Sequence, residues 1–260
     1  MSTNDWLSIR ESIDSRFRSA ELARRFMESA KEASLIVDLG CGTGANFRYS
    51  SNFDHSTAQW LGIDRDREPL GIARNRLPRE RIQLQEGDLA KEFGWIPIHD
   101  KIAITASAFL DITSMDWLQQ FADRGSRSPI LISMTAAGGP IWAPADDFDV
   151  AIELCLESHR ASDHGFGPAV GANASKFLAQ ELTARGCDVT LATTDWCLQA
   201  RDAEIIQTLI DGVCRRASST LPEEQIERWM RLRYDQNRHG CLHVTVPHLD
   251  LLSLPGTLEP

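Results

Sequence analysis

Three acids stand at suggestive positions in the first hundred residues: Asp38 ahead of a glycine run, Asp64 in "LGIDRD", and Asp88 in "EGDL". The stretch "SLIVDLGCGTGANF", residues 34–47, closes an apolar run with Gly40, Gly42 and Gly44. Alternating glycines suit a tight turn, a phosphate cradle or the rim of a nucleoside pocket, because glycine permits positive φ and close backbone approach. A phosphate cradle of the G-x-x-x-x-G-K-[ST] kind lacks its lysine and hydroxyl, since Ala45 and Asn46 follow Gly44. The dinucleotide spacing G-x-G-x-x-G fits poorly, the third glycine coming one position early. A carboxylate at Asp64 can accept hydrogen bonds from both hydroxyls of a ribose, and one at Asp88 can reach the exocyclic amine of adenine. Asp38 suits a cationic amine better than a phosphate. Three acids and no basic group argue for an adenosine with a positively charged tail, with a plain structural turn as the alternative.

These residues need a scaffold. "SLIVDLG" is a short, continuously apolar strand of the kind buried on both faces of a parallel sheet. "AQWLGIDRD", "RIQLQEGD", "KIAITASAFL" and "SPILISMT" repeat the signal, and helical intervals at 45–51, 67–76 and 114–124 separate the strands. Strands alternating with helices predict a doubly wound parallel α/β sheet with right-handed crossovers. One helix over 5–30 precedes it, with Trp6, Ile9, Ile13, Phe17, Ala20, Ala23 and Met27 on one face. After the fifth strand comes an insertion, residues 139–171, that contains a helix over 147–160. Helices at 173–185, 201–217 and 222–237 and strands in "CDVTLATTDWCL" and "GCLHVTVPHLDLLSL" complete a single domain over 1–260.

"VDLGCGTG" (37–44), "LGID" (61–64), "EGDL" (86–89) and "ITASAFLD" (104–111) resemble the class I S-adenosylmethionine-dependent methyltransferases. The match is good over about residues 30–135, and the order of elements carries it further. The resemblance implies a Rossmann-like, mostly parallel seven-stranded sheet, with S-adenosylmethionine as cofactor and S-adenosylhomocysteine as product. It places Gly40, Cys41, Gly42 and Gly44 along the methionine part of the cofactor, with Asp38 near its amino group. Asp64, followed by Arg65, would bind the ribose, Asp88 the adenine amine, and Leu89 the adenine face. Ala106 and Ser107 would border the sulfonium, and the N-terminal helix would lie over the cofactor as a lid.

The end of the fourth strand speaks to the acceptor. Methyltransferases that act on exocyclic or amide nitrogens often carry an Asn/Asp-Pro-Pro-aromatic run there, where this chain has Ala106-Ser107-Ala108-Phe109, and the Pro-Cys of cytosine C5 enzymes is absent. A small-molecule oxygen or nitrogen acceptor is therefore expected. The insertion supplies candidates: His159 and His164, with Asp111 on the fourth strand's end, as proton-handling groups, and Trp142, Arg160 and Phe166 as acceptor contacts. The structural alternatives are a buried histidine or a helix C-terminal cap for His159, a turn residue for His164, packing for Trp142 and a solvated side chain for Arg160. "HGFGPAVG" has the composition of a gate. His239, His243 and His248 are not spaced as a facial ligand set, so no metal is expected.

Composition bounds the alternatives. At 260 residues, 42% hydrophobic and 25% charged, the chain reads as an ordinary globular protein. No window has the length and apolarity of a membrane span, and the N-terminus does not read as a secretion signal. Six scattered cysteines without a Cys-x-x-Cys pair fit reduced thiols in a cytoplasmic setting. A net charge of −10 disfavours wholesale nucleic-acid binding. The early cluster Arg16, Arg18, Arg24 and Arg25 keeps an RNA or protein methyltransferase as the second reading, and a non-catalytic cofactor-binding protein is the third. Trp229 and Met230 on the late helices are candidates for a homodimer interface.

Overall fold

The computed structural model describes residues 3–91 and 101–256. Continuous apolar runs become central strands: β1 (Leu35–Leu39), β2 (Gln59–Asp64), β3 (Ile82–Glu86), β4 (Ile102–Ser107) and β5 (Ile130–Ala136). Two later strands, β7 (Asp188–Thr193) and β10 (His248–Leu254), join them in a seven-stranded sheet of order β3-β2-β1-β4-β5-β10-β7. The first five run parallel, and β10 pairs antiparallel with both β5 and β7. Strand order reverses between β1 and β4, so the carboxyl ends of these two strands flank the crevice where open α/β sheets bind ligands.

Both faces are covered. Helices α5 (Met115–Gly125) and α7 (Ala174–Ala184) bury Trp117, Leu118, Phe121, Leu178 and Leu182 against one face. Helices α2 (Ala20–Ser29), α3 (Ala45–Ser50) and α4 (Arg67–Arg76) place Phe26, Phe47 and Ala73 against the other. Local chemistry sets their starts: Ser19, Asp66 and Ser114 accept hydrogen bonds from the backbone N–H of Leu22, Glu68 and Trp117.

Three expectations are corrected. The helix expected over 5–30 is two helices, α1 (Thr3–Phe17) and α2, broken at Arg18-Ser19. Ser19 turns to extended backbone to cap α2, and its own N–H donates to Asp250 Oδ2 at 2.9 Å. "CDVTLATTDWCL" splits into β7 and β8 (Trp196–Leu198), and "GCLHVTVPHLDLLSL" splits at Pro247 into β9 (His243–Val246) and β10. With β6 (Ile141–Ala143) in the insertion, these pieces form a second antiparallel sheet of order β6-β9-β8. It shares a core with α1, α6 (Asp149–Arg160), α8 (Ala203–Ala217) and α9 (Glu223–Arg238), built around Trp142, Trp196 and Trp229.

Candidate active site

At the β1/β4 switch point lies a cleft of about 320 Å³. Gly40, Cys41, Gly42, Thr43, Asp64, Arg65, Gly87 and Leu89 line its floor and sides. Gly40 has φ +65°, and a Cβ there would stand 2.7 Å from Phe109 Cδ2, so the turn and the aromatic wall both require glycine. Asp64 Oδ2 accepts the Gly42 N–H at 2.8 Å and Oδ1 accepts the Asp66 N–H at 2.9 Å, which ties the end of β2 to the glycine turn. Helix α1 walls the open side with Leu7, Arg10 and Glu11. Glu11 holds the Arg48 guanidinium through two 2.6 Å contacts, and Arg48 Nη1 donates to the Thr43 carbonyl at 2.8 Å. The N-terminal helix is thus bolted to the glycine turn.

Beneath that turn runs a buried polar relay. Asn46 Nδ2 donates to Asp38 Oδ1 at 2.7 Å and to Thr105 Oγ1 at 3.1 Å, while Asn46 Oδ1 accepts from the buried Arg18 at 2.5 Å. Asp38 Oδ2 is buried and has no hydrogen-bond partner among the described residues. Burial pushes the Asp38 carboxyl up to about 7, against the opposing pull of Asn46 and Arg18. Asp38 does not itself line the cleft; it lies buried beneath the glycine turn, and its orphaned oxygen is an acceptor that a donor such as an ammonium group would fit. Asp64, at the end of β2, is the carboxylate that lines the cleft itself.

A second cavity, about 500 Å³, adjoins the first, and Arg10 and Ile112 line both. It gathers Asp111, His159, Arg160 and His164 from the predicted candidates. The His159 and His164 rings stack at 5.8 Å, and Arg65 Nη1 donates to the His164 carbonyl at 3.2 Å, joining this loop to the cleft. Gly165, φ +103°, makes that approach possible, because a Cβ there would lie 2.7 Å from Arg65 Nη1. Burial raises the Asp111 carboxyl above its ordinary range, opposed by the charges of Arg10, His164 and Arg160. His159 is exposed, so the buried-histidine alternative is discarded.

Sequence reasoning missed several lining residues. Arg10 comes from α1, Arg215 and Arg216 from α8, and His248 from the start of β10. His248 is buried beside Trp196, their ring centroids 5.0 Å apart, and burial with the nearby Arg10 charge pushes it down to about 3. Its Nδ1 lies 2.9 Å from the Val246 carbonyl, which can only accept; the imidazole is neutral with its proton on Nδ1 and a bare Nε2. No signal in the sequence brings α1, α8 and β10 to one cavity.

Other candidates sit elsewhere. Ala106 is fully buried in the core of the sheet, and Ser107 with Ala108 lines the cleft in its place. Gly44 caps α3 at φ +83° against Leu77 and does not line the cleft. Asp88 is engaged by Lys91 Nζ at 2.9 Å and the Ala90 N–H at 3.1 Å, while its neighbours Gly87 and Leu89 face the cleft. Phe166 lines the first cleft and not the second cavity, packed edge-on to Phe109 and Trp117 at 5.6 Å. Trp142 is buried core, edge-on to Trp229 at 5.1 Å, and lines neither cavity. Trp142→Phe should therefore lower unfolding free energy by about 1–2 kcal/mol in denaturant titration while leaving ligand affinities unchanged. Among the described residues, no group of three or more His, Cys, Asp or Glu could hold a metal ion. No helix there is long and apolar enough to cross a membrane.

No protein-family model matches the chain. Among curated proteins, a trans-aconitate 2-methyltransferase of Variovorax paradoxus (strain S110) is 28% identical over 138 residues, covering 48% of this chain and 53% of the relative. The chain thus spans about half the length of that curated relative. Among solved structures, YcgJ from Bacillus subtilis superposes with a TM-score of 0.52 at 12% identity, covering 90% of this chain and 98% of that one. The cyclopropane synthase MmaA2 from Mycobacterium tuberculosis gives a TM-score of 0.50 at 13% identity, covering 90% and 82%. Sheet order, glycine turn and structural likeness agree: the chain has the Rossmann-like fold of the class I S-adenosylmethionine-dependent methyltransferases.

Proposed function

We propose that the protein is an S-adenosylmethionine-dependent methyltransferase acting at an oxygen or nitrogen of a small-molecule acceptor. One observation carries this reading: a cleft lined by the glycine turn and Asp64, with an orphaned carboxylate buried beneath that turn, opens beside a second cavity across the shared wall of Arg10 and Ile112. The methyl donor, when bound, supplies an activated methyl group on a sulfonium. Asp38 would hold its ammonium, the Asp64 carboxylate its ribose hydroxyls, and Leu89 its adenine face, with Gly40 and Gly42 giving close backbone approach. The role left to the protein is alignment of the acceptor and exclusion of water. Helix α1 and the 139–171 segment cover the two cavities in this reading, while α2, the second half of the expected N-terminal lid, packs on the sheet instead. A base is needed only for an acceptor that carries a proton; Asp111, His159 and His164 are placed to handle it, and the bare Nε2 of His248 can accept a hydrogen bond from a hydroxyl or amine.

The curated relative is named for trans-aconitate, a small molecule, which supports the small-acceptor reading. The early arginines do not favour an RNA or protein docking face. Arg16 is paired with Asp202 at 2.7 Å, Arg18 is buried, Arg25 donates to Thr190 Oγ1 at 3.4 Å, and the Arg24 guanidinium lies 5.9 Å from the Phe53 ring centroid. The test is calorimetry with S-adenosylhomocysteine followed by mass spectrometry of small acceptors incubated with the methyl donor. Saturable binding and a 14 Da gain on an acceptor are expected; absence of nucleoside binding would sink the reading, and binding without any methylated product would favour the non-catalytic alternative.

A further inference from the structure

The second cavity has a charge unlike that of the chain. The protein carries a net −10, yet among the described residues this cavity is lined by Arg10, Arg160, Arg215 and Arg216 and by one carboxylate residue, Asp111. Two of these cations already have carboxylate partners: Arg10 pairs with Asp14 at 3.0 Å and Arg160 with Glu153 at 2.7 Å. For Arg215 and Arg216 no carboxylate lies within 4.0 Å among the described residues, and Arg216 Nη1 reaches only the Gly212 carbonyl of its own helix at 3.2 Å. The Arg216 guanidinium is disfavoured by burial and by the like charges of Arg215 and Arg160, which holds it below the ordinary arginine range. Arg215 and Arg216 are exposed at the rim of the cavity with no carboxylate partner of their own among the described residues, so an anion entering it gains two charged donors without breaking an ion pair. Leu156, Leu209 and Val213 also line the cavity and offer apolar surface that an organic anion can cover and an inorganic one cannot.

We infer that the acceptor is a small organic molecule with an oxyanionic head group, carboxylate or phosphate, held by Arg160 and Arg216 with Arg215 beside them, and an apolar body lying against α6 and α8. This deepens the proposed function and rests on it for the identity of the site as the acceptor cavity. Glu153 serves as the positioning residue of the clamp: its Oε1 takes both Arg160 Nη2 and the Gly139 N–H, at 2.7 and 3.2 Å, and so fixes the guanidinium against the loop before β6. Planar guanidiniums hold oxyanions through paired N–H donors, which a lysine would not reproduce.

The experiment measures binding of glutarate, glycerol 3-phosphate and the neutral isostere glutaramide to the full chain saturated with S-adenosylhomocysteine, by calorimetry at low and moderate salt. At least one anion should bind tenfold or more tightly than glutaramide, with affinity falling as salt rises. Stronger binding of glutarate assigns a carboxylate head, and of glycerol 3-phosphate a phosphate. The double substitution Arg160→Gln with Arg216→Gln should abolish that preference while S-adenosylhomocysteine affinity stays at the wild-type value. Equal binding of glutaramide and the anions, or an anion preference that survives in the double variant, overturns the inference. Because S-adenosylhomocysteine binding is measured separately on the same protein, its failure would count against the methyltransferase reading and not against the anion clamp.

Discussion

Asp64→Ala should weaken S-adenosylhomocysteine binding on the order of 100-fold, about 3 kcal/mol, at 25 °C. The effect has two sources that add. The carboxylate faces the cleft and would lose its hydrogen bonds to ribose hydroxyls, which are stronger for a charged acceptor than for a neutral one. It also accepts the N–H groups of Gly42 and Asp66, so its removal frees the glycine turn on which the rest of the ligand lies. Asp64→Asn, with one acceptor oxygen and no charge, should fall between, near tenfold. Calorimetry gives the dissociation constants, and a thermal melt of each free variant separates lost affinity from lost folding. An unchanged dissociation constant in Asp64→Ala would place the ribose elsewhere.

The contrast between the two cavities explains how much was legible in the sequence. The cofactor-type cleft is built from strand–turn–helix units in which the functional residue and the signal for it are neighbours. Asp38 near the end of β1 and Gly40 in the turn after it are two residues apart, and Asp64 lies two residues before Asp66, whose side chain caps α4. Short-range chemistry of this kind reads directly, and α4 has the bounds expected from its periodicity. The second cavity is made by packing at long range. Arg10, His159, Arg216 and His248 come from four elements that meet only after the second sheet has formed. That sheet was itself obscured by apparent continuity: two of its strands are continuous in sequence with strands of the main sheet. Pro247, without an N–H to donate, was the available cue for one of these breaks. The break between α1 and α2 had no local cue of that strength, since a hydrogen bond from Ser19 to Asp250, 231 residues away, stabilises it. Trp142 shows the remaining ambiguity: a tryptophan between prolines serves a ligand platform or a core equally well, and its contact with Trp229 on α9 decides for the core.

The affinity for S-adenosylhomocysteine should rise with pH up to about 7, through Asp38. In the free protein burial holds this carboxyl neutral below about 7, with Oδ2 unpartnered. A ligand ammonium beside Oδ2 stabilises the charged form, so binding at lower pH must first expel a proton. Observed affinity then follows the deprotonated fraction, increasing close to tenfold per pH unit below 7 and levelling above it. The same group acts on folding with a defined sign. Its folded value lies above the unfolded 3.8, so the folded chain binds the proton more tightly, and ligand-free stability falls as pH rises from about 4 to about 7. The span corresponds to on the order of 4 kcal/mol for this one carboxyl. Asp14, Asp111 and Asp250 are also raised by burial and slope the same way, so the difference between wild type and Asp38→Asn is the quantity to read. Asn keeps the shape and remains neutral, which should flatten the pH dependence of binding and remove Asp38's share of the stability slope. Calorimetry and thermal melts from pH 5 to 8 on both proteins measure the two effects together. A pH dependence of binding that is identical in the two proteins would mean that Asp38 does not meet the charged end of the ligand, and the assignment of the glycine turn to the methionine moiety would fall with it.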